Sequence, residues 1–246
     1  MSVAIVTGAG GGIGHAITQR LMADGYTVVG CGRSANGADF PAGAHWVQAS
    51  VADPAGAIEI NAAAAKLGEV ALLVNNAGVQ VEKTVTDSTD ADWDLVIGAN
   101  CRGVFNMCRA VLPAMEKTGG VIVNIGSISA SAADPSMALY NASKAFVHGL
   151  TRSIAVDHGP NVRCNAIAPG WILTEMADDA FALANNPQAA KADALARHPV
   201  GRMGAPGDIA NMVSWLASDQ AAYVSGASFT VDGGMTAASP LNPGLF

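Results

Sequence analysis

The sequence predicts an α/β fold, a doubly wound seven-stranded parallel sheet held in a three-layer αβα sandwich. Short β-branched runs alternate with longer Ala-rich segments of helical period. The runs are apolar throughout, without the polar alternation of a half-solvated strand, so both sheet faces need cover. No Pro/Gly/Ser linker or charge block divides the 246 residues, which favours one domain over residues 1–246.

The first run, VAIVT (3–7), passes directly into TGAGGGIG (7–14) and the helical stretch HAITQRLMADG. Glycines at such a turn let the backbone approach a pyrophosphate, and the free N–H groups and dipole of the helix N-terminus attract its charge. Strand before, helix after, within the first βαβ unit, this is a dinucleotide site over Gly8, Gly10, Gly12, Ile13 and Gly14. The later strands are YTVVGC (26–31), HWVQA (45–49), VALLV (70–74), GVIVNI (120–125), NVRCNAI (161–167) and ASFTV (227–231). Asp53-Pro54 and Ala205-Pro206-Gly207-Asp208 read as helix starts. The terminal AASPLNPGLF reads as an extended arm, because Pro240 and Pro243 forbid a helix. Sheets of this kind bind ligands beyond the carboxyl ends of their strands.

Composition excludes several classes of partner. Half the residues are hydrophobic and 13% are charged, so the chain buries a large core. A formal charge of -7, with Lys and Arg scattered, argues against nucleic acid. The apolar runs are too short to span a bilayer, and MSVAIVTGAG lacks a basic start and cleavage site. The expectation is a cytoplasmic protein with no membrane partner. Cys31, Cys101, Cys108 and Cys164 show no CxxC or zinc spacing and read as buried, reduced thiols, and the five histidines form no cluster. No metal is expected.

The end of the second strand reports on the adenosine ribose. A carboxylate there would bond the 2′-hydroxyl and repel a 2′-phosphate, but this chain has Gly30-Cys31-Gly32-Arg33-Ser34. Arg33, with Ser34 as a second donor, suits the phosphate of NADP, so NADP(H) is expected in preference to NAD(H). Arg33 also reads as a solvated cation stacking on adenine.

SMALYNASKAF (136–146) places Tyr140 and Lys144 four apart on a helix, with Cβ atoms roughly 6 Å apart. An ammonium there stabilises a phenolate, moving the tyrosine pKa down from about 10 and making it a usable acid or base. Ser127, at the end of VIVNIG and thirteen positions earlier, reaches the same sheet edge.

With these residues the chain resembles the short-chain dehydrogenase/reductase family in its compact single-domain subtype, with its Rossmann-like fold. The motifs run along nearly the whole sequence: TGAGGGIG, NNAG (75–78), Asn100 in GAN, Ser127 in NIGS, YNASK (140–144), NAIAPG (165–170) and VDGG (231–234). The resemblance implies that Tyr140 exchanges a proton with the substrate oxygen, that Ser127 hydrogen-bonds that oxygen, and that Lys144 binds the nicotinamide ribose while holding the tyrosine pKa down. It gives Asn100 a water-mediated place in the proton relay, against a reading as a buried amide that satisfies a helix kink. It places Asn75, Asn76, Ala77 and Gly78 against the adenosine, Pro169, Gly170 and Ile172 at the nicotinamide, and Thr174 at the carboxamide or phosphates. Ser50-Val51 stands where the family usually has Asp-Val, and Gly11 where many NADP-dependent members carry a basic residue.

The implied reaction is hydride transfer between a nicotinamide and a ketone or secondary alcohol. A redox-sensing regulator without catalysis is the rival from another class, opposed by the complete set Asn100, Ser127, Tyr140 and Lys144. Nucleotide-sugar dehydratases and epimerases of this fold are longer, with a C-terminal substrate domain. The pocket walls fall in 79–82, 129–139 and the long connection from Trp171 to about Gly204. Ser129 falls in these walls, and Met137, Leu139, Trp171, Met176 and Phe181 suggest an apolar or cyclic substrate, against a plain core that would use the same residues. A β-ketoacyl thioester stays open, with Lys191, Arg197 and Arg202 at the margin. The family also implies a homotetramer built by pairing helices at roughly 90–117 and 139–158 and by packing the last strand and helix against a neighbour.

Overall fold

The computed structural model describes residues 2–36 and 40–238. Seven strands form one parallel sheet: β1 (Ser2–Thr7), β2 (Thr27–Gly32), β3 (His45–Gln48), β4 (Glu69–Asn75), β5 (Gly120–Ile125), β6 (Val162–Pro169) and β7 (Ser228–Val231). Their order is β3-β2-β1-β4-β5-β6-β7, and each falls within two residues of the run that announced it. The helices are α1 (Gly12–Ala23), α2 (Pro54–Ala65), α3 (Asp90–Ile97), α4 (Gly103–Thr118), α5 (Ala138–Asp157), α6 (Glu175–Ala182), α7 (Pro187–Ala196) and α8 (Pro206–Ala217).

The period-2 alternation of strands sorts their side chains into two cores. Val3 and Ile5 join Ile60, Met107, Val111 and Ile154 of α2, α4 and α5 on one face. Ala4 and Val6 join Ile17, Leu21, Ile209 and Val213 of α1 and α8 on the other. This is why the strands lack polar alternation: neither face meets water. Asp53 caps α2 as expected, its Oδ1 accepting from the Ala55 N–H at 2.9 Å, and Asp208 Oδ2 accepts from the Ala205 N–H at 2.7 Å at the start of α8.

β1 pairs with both β2 and β4, so the chain leaves it in opposite directions and a crevice opens past its carboxyl end. The Thr7 hydroxyl holds the two lips together, accepting from Asn76 N at 3.0 Å and Ala77 N at 2.9 Å. The connection from Trp171 to Gly204 is not structureless. It carries α6 and α7 around a small core of Ala177, Phe181, Ala194 and Met203, with Trp171 stacked on Phe181 at 4.8 Å. Among the described residues, no helix is long and apolar enough to cross a membrane. No cluster of three or more His, Cys, Asp or Glu among them is disposed to hold a metal ion. Most of the expected C-terminal arm, residues 239–246, lies outside the described residues.

Candidate active site

The glycine-rich turn runs from β1 into α1 along one side of a cleft of about 310 Å³. Gly8 has φ +63°, which favours glycine, and a Cβ there would come within 2.8 Å of Ala77 Cα. Gly14 lets α1 seat on the turn, since a Cβ on it would run into the Gly8 carbonyl. Asn76 Nδ2 locks this arrangement by donating to Thr7 O at 2.9 Å and Gly8 O at 3.1 Å. Gly11, the N-cap of α1, offers no side-chain acceptor to the first-turn N–H groups, and a Cβ placed on it meets nothing within 4 Å. Free amides at a helix N-terminus facing an open cleft fit the pyrophosphate of a dinucleotide.

The cleft brings together residues more than a hundred positions apart. Its walls include Gly8, Gly12, Ile13, Asn76, Ala77 and Gly78 on one side, and Ser127, Tyr140, Lys144, Pro169, Gly170, Ile172 and Thr174 on the other. Thr174 caps α6, accepting from Ala177 N at 3.4 Å, and its Cγ2 lies 3.2 Å from where a Gly12 Cβ would stand. The segment behind Ile172 is pinned by Leu173 N to Gly204 O and Gly204 N to Trp171 O, both 2.9 Å.

α5 presents Tyr140 and Lys144 to the cleft on one face. Lys144 is buried, with Nζ 5.4 Å from the Tyr140 ring centroid and donating to Ile125 O at 2.9 Å. Burial pulls its pKa down from 10.5 to about 8. Tyr140 departs from the sequence expectation: burial raises its pKa above 10, the Ser127 hydroxyl pulls it down, and the Asp134 charge raises it again. Desolvation, which depends on residues from β5, α5 and the intervening loop, is the largest of these causes.

Asn100 sits in a π-helical turn, Gly98–Arg102, between α3 and α4. Its Oδ1 accepts from Val79 N at 2.8 Å, and its Nδ2 donates to Val79 O and Ser143 Oγ, both at 2.9 Å. The side chain sits at a helix irregularity and ties the loop after β4 to α5 close behind Lys144.

Other expected residues lie apart from the walls. Val51 is buried in the core, where it packs so closely on Gly103 that a Cβ there would fall 3.3 Å from Val51 Cβ. Ser50, whose carbonyl accepts from Asp53 N, and Gly10, beside Trp46, are likewise outside the lining. Arg33 and Ser34 stand exposed past the end of β2. Ser129, Met137, Trp171 and Met176 line the cleft, and Leu139 is not among its lining residues. Gln80, Asp134 and Glu175 also line it, each inside the expected wall segments though not singled out there, and Gly126, which lies outside those segments, was missed. Asp134 had a signal, as the sole carboxylate between Ser127 and Tyr140.

Comparison with known proteins matches this geometry. A family model described as enoyl-(acyl carrier protein) reductase matches residues 8–236. The chain is 40% identical to 2-(R)-hydroxypropyl-CoM dehydrogenase of Xanthobacter autotrophicus, covering 96% of this chain and 98% of that one. It is 38% identical to the 3-oxoacyl-[acyl-carrier-protein] reductase FabG of Escherichia coli, over 95% and 96%. The ligand-free structure of Thermoplasma acidophilum aldohexose dehydrogenase superposes with a TM-score of 0.93 at 31% identity, over 98% and 96% of the two chains. A doubly wound sheet, a glycine-rich turn at its switch point and full-length relatives on every side lead to one assignment: the chain belongs to the short-chain dehydrogenase/reductase family.

Proposed function

We propose that this NAD(P)-dependent oxidoreductase interconverts a ketone and a secondary alcohol with Tyr140 as the group that gives and takes the proton. The observation that carries the reading is the convergence of Ser127, Tyr140 and Lys144 on a cleft that the glycine-rich turn also lines. When bound, the nicotinamide supplies or accepts the hydride. Ser127, its hydroxyl turned from Ser129 to the substrate, hydrogen-bonds the reacting oxygen and holds it against the phenol. Lys144, fixed by Ile125 O, offers its ammonium to the ribose and lends positive charge beside Tyr140. Asn100 positions the loop after β4 against α5 and acts on the chemistry only through them.

With its pKa raised, the phenol holds its proton through neutral pH, ready for ketone reduction. Oxidation needs the phenolate and therefore speeds up as pH rises. Tyr140→Phe removes the proton while keeping the ring. Turnover falls by about three orders of magnitude and coenzyme affinity, read by fluorescence, stays within about threefold. Retention of more than about a tenth of kcat refutes the mechanism.

NADP(H) is the proposed coenzyme in preference to NAD(H). The end of β2 presents Gly30, Cys31 and Gly32 with no carboxylate, and Arg33 is exposed just beyond. Arg33→Ala should lower kcat/KM for NADPH about tenfold relative to NADH, and a wild-type preference for NADH overturns the proposal. The same reading includes a homotetramer through α4 and α5, whose Phe105 and Phe146 are 44% and 41% exposed. A monomer in light scattering at micromolar concentration refutes it.

The 3-oxoacyl reductase relative raises a thioester as a second substrate class. The cations expected at the margin do not favour it. Lys191 pairs with Asp178 at 3.5 Å, Arg197 with Asp193 at 2.7 Å and Arg202 with Asp208 at 2.7 Å, so each is already engaged by a carboxylate.

A further inference from the structure

Between Ser127 and Tyr140 the chain makes a short loop that returns to the cleft, and it carries a hydrogen-bond chain. Ser127 Oγ donates to Ser129 Oγ at 3.0 Å, and Ser129 Oγ donates to Asp134 Oδ2 at 2.8 Å. A carboxylate only accepts, so Ser129 must give its one proton to Asp134, and Ser127 must then donate to Ser129. The Ser129 N–H adds a bond of 3.1 Å to Ser127 Oγ. Asn141 Nδ2, in the first turn of α5, fastens the loop by donating to Asp134 O at 3.1 Å. Asp134 is thus fixed from both ends, and among the described residues its second oxygen, Oδ1, has no protein partner.

Asp134 lines the same cleft as Ser127 and Tyr140. The charged groups of that lining are Asp134, Glu175 and Lys144, and Lys144 is tied to Ile125 O. An anionic substituent near the reacting carbon would face two carboxylates with no free cation to receive it. A hydroxyl finds a fixed acceptor instead.

Resting on the hydride-transfer reading above, we infer that Asp134 is a specificity-determining residue that selects a neutral substrate with a second hydroxyl on the carbon next to the reacting one. The path from Ser127 to Asp134 through Ser129 takes two hydrogen bonds of 3.0 and 2.8 Å, and a pair of oxygens on neighbouring carbons, roughly 2.8 Å apart, bridges the same two ends with one hydrogen bond at each. With the reacting oxygen on Tyr140 and on a Ser127 hydroxyl turned away from Ser129, while Ser129 keeps its bond to Asp134, that second hydroxyl donates to Asp134. α-Hydroxyketones and vicinal diols are the substrates the site takes, and α-keto acids are those it rejects.

The test compares kcat/KM for 3-hydroxy-2-butanone, 2-butanone and 2-oxobutyrate, and for 2-hydroxycyclohexanone against cyclohexanone, with NADPH and NADH. Wild type should favour each hydroxyketone over its plain ketone by about ten- to a hundredfold, the range of a hydrogen bond to a charged group. 2-Oxobutyrate should be the poorest substrate of the open-chain set. Asp134→Leu should collapse the hydroxyketone-to-ketone ratio toward one, while Asp134→Asn, which keeps an acceptor oxygen, should retain most of it. A purely structural role would lower both substrates together and leave the ratio unmoved. Equal use of plain and hydroxylated ketones, a preference for 2-oxobutyrate, or a ratio untouched by Asp134→Leu overturns the assignment and leaves hydride transfer standing. No turnover of any ketone with either coenzyme removes both.

Discussion

Replacing Lys144 by Met should make the protein more stable at neutral pH and abolish most of its activity. Burial brings the lysine pKa from 10.5 to about 8, and each unit corresponds to about 1.4 kcal/mol, so holding the ammonium in place costs the fold about 3 kcal/mol below pH 8. The sign follows from proton counts. Between pH 8 and 10.5 the unfolded chain binds the proton and the folded one releases it, so wild-type stability rises with pH across that window. Met fills a similar volume without the charge, but it leaves Ile125 O without the donor it now has, a loss of about 1–2 kcal/mol. The variant should therefore gain about 1–2 kcal/mol at pH 7, lose that advantage as pH rises, and fall below wild type near pH 10.5. Urea titrations without added coenzyme, at fixed protein concentration and at pH 7, 8.5 and 10, read this directly. A variant less stable at pH 7, or a gap that does not change with pH, refutes the reasoning.

Other parts of the fold give further expectations. Gly14→Ala should destabilise by about 2–3 kcal/mol and lose coenzyme binding, because its Cβ lands 2.6 Å from Asn76 Nδ2 and against the Gly8 carbonyl. Gly11→Ala should change stability by no more than about 0.5 kcal/mol, since φ is -164° and the space is open. Denaturant midpoints of the pair decide whether close approach or mere flexibility explains the turn. The four cysteines are buried, and burial lifts Cys31 and Cys108 to about 12 and Cys101 to about 11. An aromatic disulfide reagent at pH 8 should find no reactive thiol in the native protein and four after unfolding, and prompt reaction of any one contradicts the burial.

What the sequence made legible was whatever depends on neighbours along the chain. The apolar strands, Asp53 ahead of Pro54 and the glycines between β1 and α1 declare themselves because propensity, capping and backbone sterics are local. The burial of Val51 is set by Gly103, half a hundred positions on, which no local pattern announces. The engagement of Asn100 depends on Val79 and Ser143, which only the folded chain brings within 2.9 Å. The cations expected at the margin of the pocket illustrate the same point. Lys191, Arg197 and Arg202 looked available in the sequence, yet two of them pair with carboxylates four or six residues away on the same surface, and the third with Asp178 of α6.

The pair that the i,i+4 spacing singles out behaves differently from an isolated helical pair for one reason, desolvation. On an exposed helix an ammonium lowers a neighbouring phenol and is itself raised by the resulting phenolate. Here both groups lie in the cleft wall, and burial disfavours the charged form of each, raising Tyr140 and lowering Lys144. Burial favours the neutral form of both, so a phenolate beside an ammonium is not the form the chain's own groups favour. Asp134 adds to this by raising Tyr140 further. The chain's own charges therefore set the site as a proton donor, and any shift toward the phenolate must come from charge brought into the cleft with the ligands. A carboxylate near the phenol thus has two consequences at once: it offers an acceptor to a substrate hydroxyl, and it biases the resting site toward reduction.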